Sequence, residues 1–172
     1  RLDAFTEAVR RRHANGLNCR PQCDGCCHRQ FGVFRLEASM MRRAFEALPA
    51  DRRRQVEQRA LSYEANPAAP TAPCVFIEAG QCEVYAARPI ICRSQGLPLL
   101  SAEILSAQHL DWCPLNFEGF EPADFDAGAI LNLDTVNRLL AALSIEFEQQ
   151  APIDSEEQRR LSMVDIVLRP SL

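Results

Sequence analysis

The chain has 172 residues, of which 47% are hydrophobic, 24% are charged and eight are cysteine. This length and composition predict a folded chain with a sizeable core, and they exclude a disordered or membrane-embedded protein. Every basic residue is arginine, which excludes a Schiff-base lysine and a lysine-bearing phosphate loop. The net charge of −4 disfavours binding to nucleic acid or to an anionic membrane, so neither partner is expected.

The first half of the chain is predicted to be mainly helical. Apolar residues at helical spacing predict a helix over residues 2–14, with His13 expected at the surface, and a second helix over 36–48. Asp51 is expected to cap a third helix that ends near residue 64. A stiff proline-rich connector over 66–73 follows, and the apolar run at 74–77 predicts a small hairpin that turns at Ala79-Gly80.

The second half is expected to be irregular until its terminal helices. A helical turn is predicted over 101–110, and Asp134 is expected to cap a long helix. A last helix is predicted from residue 155 to about 167. We therefore predict a mostly α fold: a small single domain over 1–172 with helical termini at 2–14 and 134–167. Its centre is expected to be cysteine-rich and irregular, with at most a short β-hairpin.

The eight cysteines form two groups. The first is dense, Cys19-x3-Cys23-x2-Cys26-Cys27, and the second is dispersed over Cys74, Cys82, Cys92 and Cys113. Two thiols with two residues between them can turn back onto one ion, and Gly25 suits such a loop. Adjacent cysteines point apart in extended backbone, so Cys26 and Cys27 are expected to serve different metals, or one of them none. The dense run indicates a metal site.

Two structural alternatives to metal binding are open. Four disulfides are one, although a core of this size needs no covalent bridges and neighbouring cysteines pair only through a strained ring. Burial of Cys74 as a small hydrophobic side chain is the other. Thiols that stay reduced predict a cytoplasmic protein. Because the chain starts at Arg1 rather than at methionine, we expect an upstream segment to have been removed or left out.

Three segments carry a resemblance to a known family. They are Cys19 to Cys27, then Cys74-Val75-Phe76-Ile77 with Gly80-Gln81-Cys82-Glu83-Val84-Tyr85, and then Arg88-Pro89-Ile90-Ile91-Cys92-Arg93. With these residues the chain resembles the YkgJ-type cysteine-cluster family of zinc- or iron-chelating domains, over about residues 19–113. The first motif, C-x-x-C-x-x-C-C in the family, departs here by one residue, because three residues separate Cys19 from Cys23.

The resemblance implies that the cysteines chelate zinc or iron, as single ions or as an iron–sulfur cluster. The candidate ligands are Cys19, Cys23, Cys26, Cys27, Cys74, Cys82, Cys92 and Cys113. Eight ligands permit two four-cysteine sites, or one site shared by both groups with spare thiols. Thiolate ligation does not choose between the two metals. His28 and His109 are alternative ligands for a site of three cysteines and one histidine.

Three residues of the second motif are candidates for contacts with the thiolates or their backbone. Arg88 and Arg93 flank the thiols and would offset their negative charge, and the Tyr85 hydroxyl could donate to the same site. The alternatives are that Tyr85 belongs to the core and that both arginines pair with surface carboxylates.

The function predicted first is metal chelation without an assigned reaction. The alternative is an iron–sulfur-dependent enzyme with an open coordination position, for redox chemistry or for protein-lysine methyl transfer, because some relatives in the resembled family are described as such methylases. A third possibility is an interaction module that metal binding merely folds. The sequence assigns neither a catalytic residue nor a protein partner.

Overall fold

The computed structural model describes residues 2–14, 16–66, 72–150 and 160–169. Within these ranges the helices are α1 (Leu2–Arg12), α2 (Arg35–Glu46), α3 (Ala50–Ala65), α4 (Ile90–Ser94), α5 (Leu133–Gln150) and α6 (Met163–Leu168). The strands are β1 (Val33–Phe34), β2 (Ile77–Glu78), β3 (Gln81–Cys82), β4 (Leu99–Leu100), β5 (Leu110–Asp111), β6 (Leu131–Asn132) and β7 (Arg160–Leu161). Short 3-10 turns lie at Gly25–His28, Tyr85–Ala87 and Pro122–Asp124. The mostly α prediction is confirmed, but the described residues contain more strand pairing than the single hairpin expected, because segments distant in the sequence pair as β1 with β7 and as β5-β4-β6.

The chain contacts define two compact units. The first unit comprises Arg1–Arg20 and Ile90–Leu140, and the second comprises Pro21–Pro89 and Ala141–Leu172. Helix α5 contributes residues to both. The single-domain expectation for 1–172 stays a prediction. None of the described helices combines the length and the apolar character that crossing a membrane requires.

The first unit packs α1 against α4 and contains a three-stranded sheet in the order β5-β4-β6. Its core consists of Val9, Leu97, Leu110, Phe117, Phe125 and Ala129. The helical turn predicted over 101–110 is wrong, because β5 returns antiparallel to β4 with Leu100 opposite Leu110. The N–H of Ser101 donates to the carbonyl oxygen of His109 at 3.0 Å, so backbone groups that a helix would pair locally are satisfied across the loop.

His13 packs among aromatic side chains and is not the surface residue that its arginine-rich helix end predicts. Its ring lies edge-on to Phe117, Phe120 and Phe125, with centroids 5.9, 5.7 and 5.9 Å away. The Nε2 atom is buried without a hydrogen-bond partner among the described residues. These phenylalanines lie far along the sequence, so the local pattern around His13 carried no sign of them.

The second unit packs α6 against both α2 and α3. Strand β1 pairs antiparallel with β7, which places Val33 opposite Leu161. The Arg42 guanidinium on α2 donates to the carbonyl oxygens of Ile166, Val167 and Arg169 at 2.8, 2.9 and 3.0 Å. A cation at the carboxyl end of a helix satisfies carbonyl groups that lack partners in the helix, so Arg42 fixes the end of α6.

Helix boundaries differ from the predictions where another residue caps better. Helix α5 begins at Leu133, and Asn132 Oδ1 accepts from the N–H of Thr135 at 2.8 Å, so Asn132 takes the capping role predicted for Asp134. The Asp134 carboxylate instead accepts from the Ser101 hydroxyl at 2.6 Å. Asp51 lies inside the first turn of α3, which follows Pro49.

The last predicted helix is shorter than expected. Residues 155–159 of that prediction lie outside the described residues, as do residues 67–71 of the predicted connector. Residues 160–161 form β7 instead of helix, because they pair with β1. Helix α6 then starts after Ser162, whose hydroxyl accepts from the N–H of Asp165 at 3.0 Å.

The predicted hairpin is confirmed. Strands β2 and β3 pair antiparallel, with Ile77 opposite Cys82 and Glu78 opposite Gln81. Ala79 and Gly80 turn the chain with φ of 49° and 73°, as a two-residue hairpin of this twist requires. A Cβ at Gly80 would lie 3.2 Å from the Cα of Gln22, so this position demands glycine for its conformation and for its space.

Candidate metal centre

The two units divide the cysteines differently from the two groups in the sequence. The first unit holds Cys19, Cys92 and Cys113, and the second holds Cys23, Cys26, Cys27, Cys74 and Cys82. All eight cysteines lie among the described residues and are thiols without a disulfide. The disulfide alternative therefore has no support in the structure.

Cys26 and Cys27 lie in the 3-10 turn Gly25–His28, where the N–H of Cys27 donates to the carbonyl oxygen of Asp24 at 2.7 Å. The expected divergence of neighbouring side chains holds for extended backbone, and in this turn the two thiols hydrogen-bond to each other. That hydrogen bond lowers the pKa of Cys26 to about 6 against the opposing effect of burial, and the positive charge of Arg88 also lowers it. The Cys26 thiol is therefore acidic enough to be a thiolate at neutral pH.

Cys74 and Cys82 are connected to this turn through the backbone of the second unit. The N–H of Cys74 donates to the carbonyl oxygen of Cys27 at 2.7 Å, and the N–H of Ile77 donates to that of Cys74 at 2.9 Å. Ile77 in turn pairs with Cys82 across the hairpin. Burial raises the pKa of Cys74 to about 11, and burial also raises the pKa of Cys82. Cysteines from both sequence groups thus lie on directly hydrogen-bonded segments.

Arg59 on α3 anchors the segment that bears Cys74 and Cys82. Its Nε donates to the carbonyl oxygen of Val75 at 2.8 Å, and its guanidinium pairs with Glu78 and with Glu83, the latter at 3.1 Å. The Glu83 side chain is only 3% exposed, so its carboxylate depends on its two ion-pair partners, Arg59 and Arg52. Arg59 has no place in any cysteine motif, and only the tertiary contacts reveal it.

Arg88 and Tyr85 form a stacked pair beside the thiols. The Arg88 guanidinium carbon lies 3.4 Å from the centre of the Tyr85 ring, and Arg88 Nε donates to the Tyr85 carbonyl oxygen at 3.1 Å. The Arg88 charge lowers the pKa values of both Cys26 and Cys82. Tyr85 is 63% exposed, so the core alternative for it is wrong.

Arg93 follows Cys92 on α4 and pairs with a carboxylate, which is the alternative that the sequence left open for it. Its guanidinium donates to both carboxylate oxygens of Asp3, at 2.8 and 2.6 Å. Asp3 lies in the first turn of α1. This ion pair joins α1 to the cysteine-bearing helix within the first unit.

Cys19 in the first unit contacts a residue that sequence reasoning missed. Asn116 is buried at 1% exposure, and its Nδ2 lies 3.4 Å from Cys19 Sγ and 2.8 Å from the Gly96 carbonyl oxygen. The N–H of Asn116 also donates to the carbonyl oxygen of Cys113 at 2.8 Å. The spacing Cys113-x2-Asn116 was the available signal, but an asparagine near a cysteine is too common to stand out.

The two histidines have partners outside the thiols. His28 Nε2 lies 3.6 Å from Asp24 Oδ2, and His109 Nδ1 lies 2.8 Å from the carbonyl oxygen of Ile104. Over the described ranges, no three side chains of histidine, cysteine, aspartate or glutamate are arranged so that they could hold one metal ion. The structure brings cysteine-bearing segments together without assembling a finished coordination sphere.

The donor chemistry nevertheless fits zinc or iron. Thiolates are preferred ligands of both metals, and Cys26 reaches that state near neutral pH. The positive charge of Arg88 offsets the negative charge that thiolates accumulate. In the second unit, Cys26, Cys27, Cys74 and Cys82 are the residues best connected to supply such ligands.

Comparison with known proteins agrees with these cysteine motifs. Searches of curated proteins and of solved structures gave no match. A family model matches residues 18–114, which is more than half of the chain and contains all eight cysteines. The cysteine-cluster family recognised from the motifs is thereby confirmed. The chain belongs to the CxxCxxCC family, whose description is "putative zinc- or iron-chelating domain".

Proposed function

We propose that this protein chelates zinc or iron through thiolates of its cysteine cluster. The observation that carries the proposal is the backbone hydrogen bond from Cys74 to Cys27, which joins the two cysteine groups in the second unit. The hairpin then holds Cys82 beside the same segment. Two distant motifs are thus tied together by contacts that do not depend on sulfur, as expected of a scaffold that presents ligands.

Metal binding is proposed to draw the thiols together and to remove protons from them. Over the described ranges no three ligands yet surround one point, so the side chains must move to complete a site. The raised pKa values of Cys74 and Cys82 mean that a metal must displace a proton from each of them. Binding should therefore tighten as pH rises.

The proposed cofactor is zinc or iron, either as single ions or as an iron–sulfur cluster. All eight cysteines are candidate ligands, enough for two four-cysteine sites or for one site with spare thiols. A reducing compartment keeps such thiols available, so we propose that the protein acts in the cytoplasm.

Anaerobic purification of the full chain, with zinc, iron and acid-labile sulfide measured on the same sample, tests the proposal. Near-stoichiometric zinc in a colourless protein, or iron with or without sulfide in a coloured one, is the expected result. Protein that contains neither metal and takes up neither after anaerobic reconstitution overturns it. The enzymatic alternative instead predicts an iron–sulfur cluster with one exchangeable ligand.

Substitutions in the second unit sharpen the test. Cys27→Ser and Cys74→Ser are each expected to lower the bound metal at least tenfold at limiting metal concentration. Val75→Ala is the matched control, because Val75 is the buried neighbour of Cys74 but offers no ligand atom. Equal metal content in Cys74→Ser and Val75→Ala would remove Cys74 from the ligand set.

A further inference from the structure

Asn116 connects three cysteine-bearing segments of the first unit, two through its side chain and one through its backbone. Its Oδ1 accepts from the N–H of Asn18 at 2.9 Å, and its Nδ2 donates to the Gly96 carbonyl oxygen at 2.8 Å. Asn18 precedes Cys19, Gly96 follows the helix that bears Cys92, and the N–H of Asn116 donates to the carbonyl oxygen of Cys113. The buried side-chain amide of Asn116 therefore joins the segments of Cys19 and Cys92, and its backbone N–H ties it to Cys113.

The hydrogen bonds of Asn116 fix which face of its amide meets Cys19. A flipped amide would place Nδ2 against a backbone N–H and Oδ1 against a carbonyl oxygen, and both bonds would be lost. Nδ2 is thus held as a donor 3.4 Å from Cys19 Sγ, and Oδ1 lies 3.8 Å from the same sulfur, from which it accepts while the thiol is protonated. An N–H donor beside sulfur stabilises the negative charge of a thiolate.

Asn116 and Cys19 pack tightly against Gly96. Its φ is +89°, and a Cβ at this position would lie 2.6 Å from Asn116 Nδ2 and 3.1 Å from Cys19 Sγ. Any side chain there would push the asparagine and the thiol out of place. The absence of a side chain at Gly96 therefore allows Asn116 and Cys19 to pack directly against its backbone.

We propose that Asn116 is a positioning residue for Cys19 as a metal ligand. It holds Sγ in place, and its Nδ2–H supports the charge of the thiolate when a metal is bound. This inference rests on the proposed function, because it requires Cys19 to contribute to chelation. Cys19 itself is an exposed residue of the first unit.

Cobalt(II) is the probe, because its thiolate charge-transfer band reports on the ligating sulfurs themselves. The full chain is titrated anaerobically with Co(II), and the intensity and position of the band are recorded together with the affinity. The variants are Cys19→Ser, Asn116→Asp and Asn116→Leu. The matched control is Asn18→Ala, which removes the hydrogen bond from Asn18 Nδ2 to the Leu115 carbonyl oxygen but leaves the contact with sulfur.

The expected result has three parts. Cys19→Ser lowers the intensity of the band, both Asn116 variants shift its position and weaken Co(II) binding about tenfold or more, and Asn18→Ala leaves the band unchanged. A change in band position separates positioning of the ligand from general destabilisation, which would reduce loading without moving the band. Asn116→Asp would bury a charge, whereas Asn116→Leu would leave the Asn18 N–H and the Gly96 carbonyl oxygen without this partner. The two variants are therefore destabilised for different reasons, and either one that folds decides the question.

Two results overturn the inference and one overturns its basis. If Cys19→Ser leaves the spectrum of cobalt-loaded protein unchanged, chelation stands and the role of Asn116 is refuted. If Cys19→Ser lowers the band while folded Asn116 variants match the original protein, Asn116 does not position the ligand. If the original protein forms no cobalt–thiolate band at all, the proposed function itself fails.

Discussion

The N–H of Cys74 donates to the carbonyl oxygen of Cys27 at 2.7 Å, although the two residues lie in different cysteine motifs. Because this bond involves only the backbone, it does not require the sulfurs to be in a particular protonation state or bound to metal. It sets the spacing of two candidate ligands before an ion arrives, which reduces the conformational entropy that metal binding must overcome.

Cys26 is predicted to react as a thiolate at a lower pH than Cys74 and Cys82. In reduced, chelator-treated protein, iodoacetamide labelling of Cys26 should rise with a midpoint near pH 6, while Cys74 should remain protonated until about pH 11. Mass spectrometry at a series of pH values gives both profiles. Unfolded protein is the control, in which both residues should titrate near the ordinary value of 9.0.

The same shift predicts a pH-dependent contribution to stability. The folded pKa of Cys26 lies below its ordinary value of 9.0, so its contribution is fully present above pH 9 and is lost as the pH falls through about 6. Chemical unfolding of the metal-free protein and of Cys26→Ser between pH 5 and pH 9 measures this, with those limits set roughly by the two pKa values. Parallel curves for the two proteins would contradict the assignment.

Arg88 is predicted to keep Cys26 acidic through its charge. Arg88→Gln should raise the pKa of Cys26, because a positive charge that favours the thiolate is removed. Arg88→Lys is the control, since it retains the charge but loses the planar stacking on Tyr85. The labelling profile of Cys26 measures both, and a glutamine variant with an unshifted midpoint would refute the electrostatic role.

Arg59 is predicted to stabilise the segment that bears Cys74 and Cys82. Arg59→Met should lower the free energy of unfolding by about 1.5–3 kcal/mol, because it leaves the nearly buried Glu83 carboxylate and the Val75 carbonyl oxygen without this donor. Arg52→Met is the matched control, because Arg52 pairs with the same carboxylate from a more exposed position and should cost at most about 1 kcal/mol. Urea unfolding of both variants tests the difference, and equal losses would count against it.

Gly80 is predicted to be more sensitive to alanine than Gly119 is. Both have positive φ, at 73° and 78°, so each alanine should cost about 1–2 kcal/mol in backbone strain. A Cβ at Gly80 also meets the backbone of Gln22, whereas nothing lies within 4 Å of one at Gly119. Thermal unfolding should therefore show a larger loss of stability for Gly80→Ala than for Gly119→Ala. A smaller loss for Gly80→Ala would mean that the hairpin adjusts to the added methyl group without strain.

The regular elements were predictable where local chemistry decides them. Helix α1, the Ala79-Gly80 hairpin and the long helix that starts near Asp134 follow from side-chain periodicity and turn residues. The errors lie where a distant partner competes. Ser101 binds the Asp134 carboxylate, which frees the cap position for Asn132, and β1 pairs with residues that the sequence assigns to a helix.

By itself, the sequence determined the mostly helical class, the thiol donors and the family, because each depends on residue type and short spacing. Only the tertiary structure decided that Cys74 is hydrogen-bonded to Cys27, that Arg93 pairs with Asp3 and that Asn116 meets Cys19. Spacing along a chain limits which neighbours can share one turn. The contacts between distant segments depend on how buried side chains pack, and no local pattern records that.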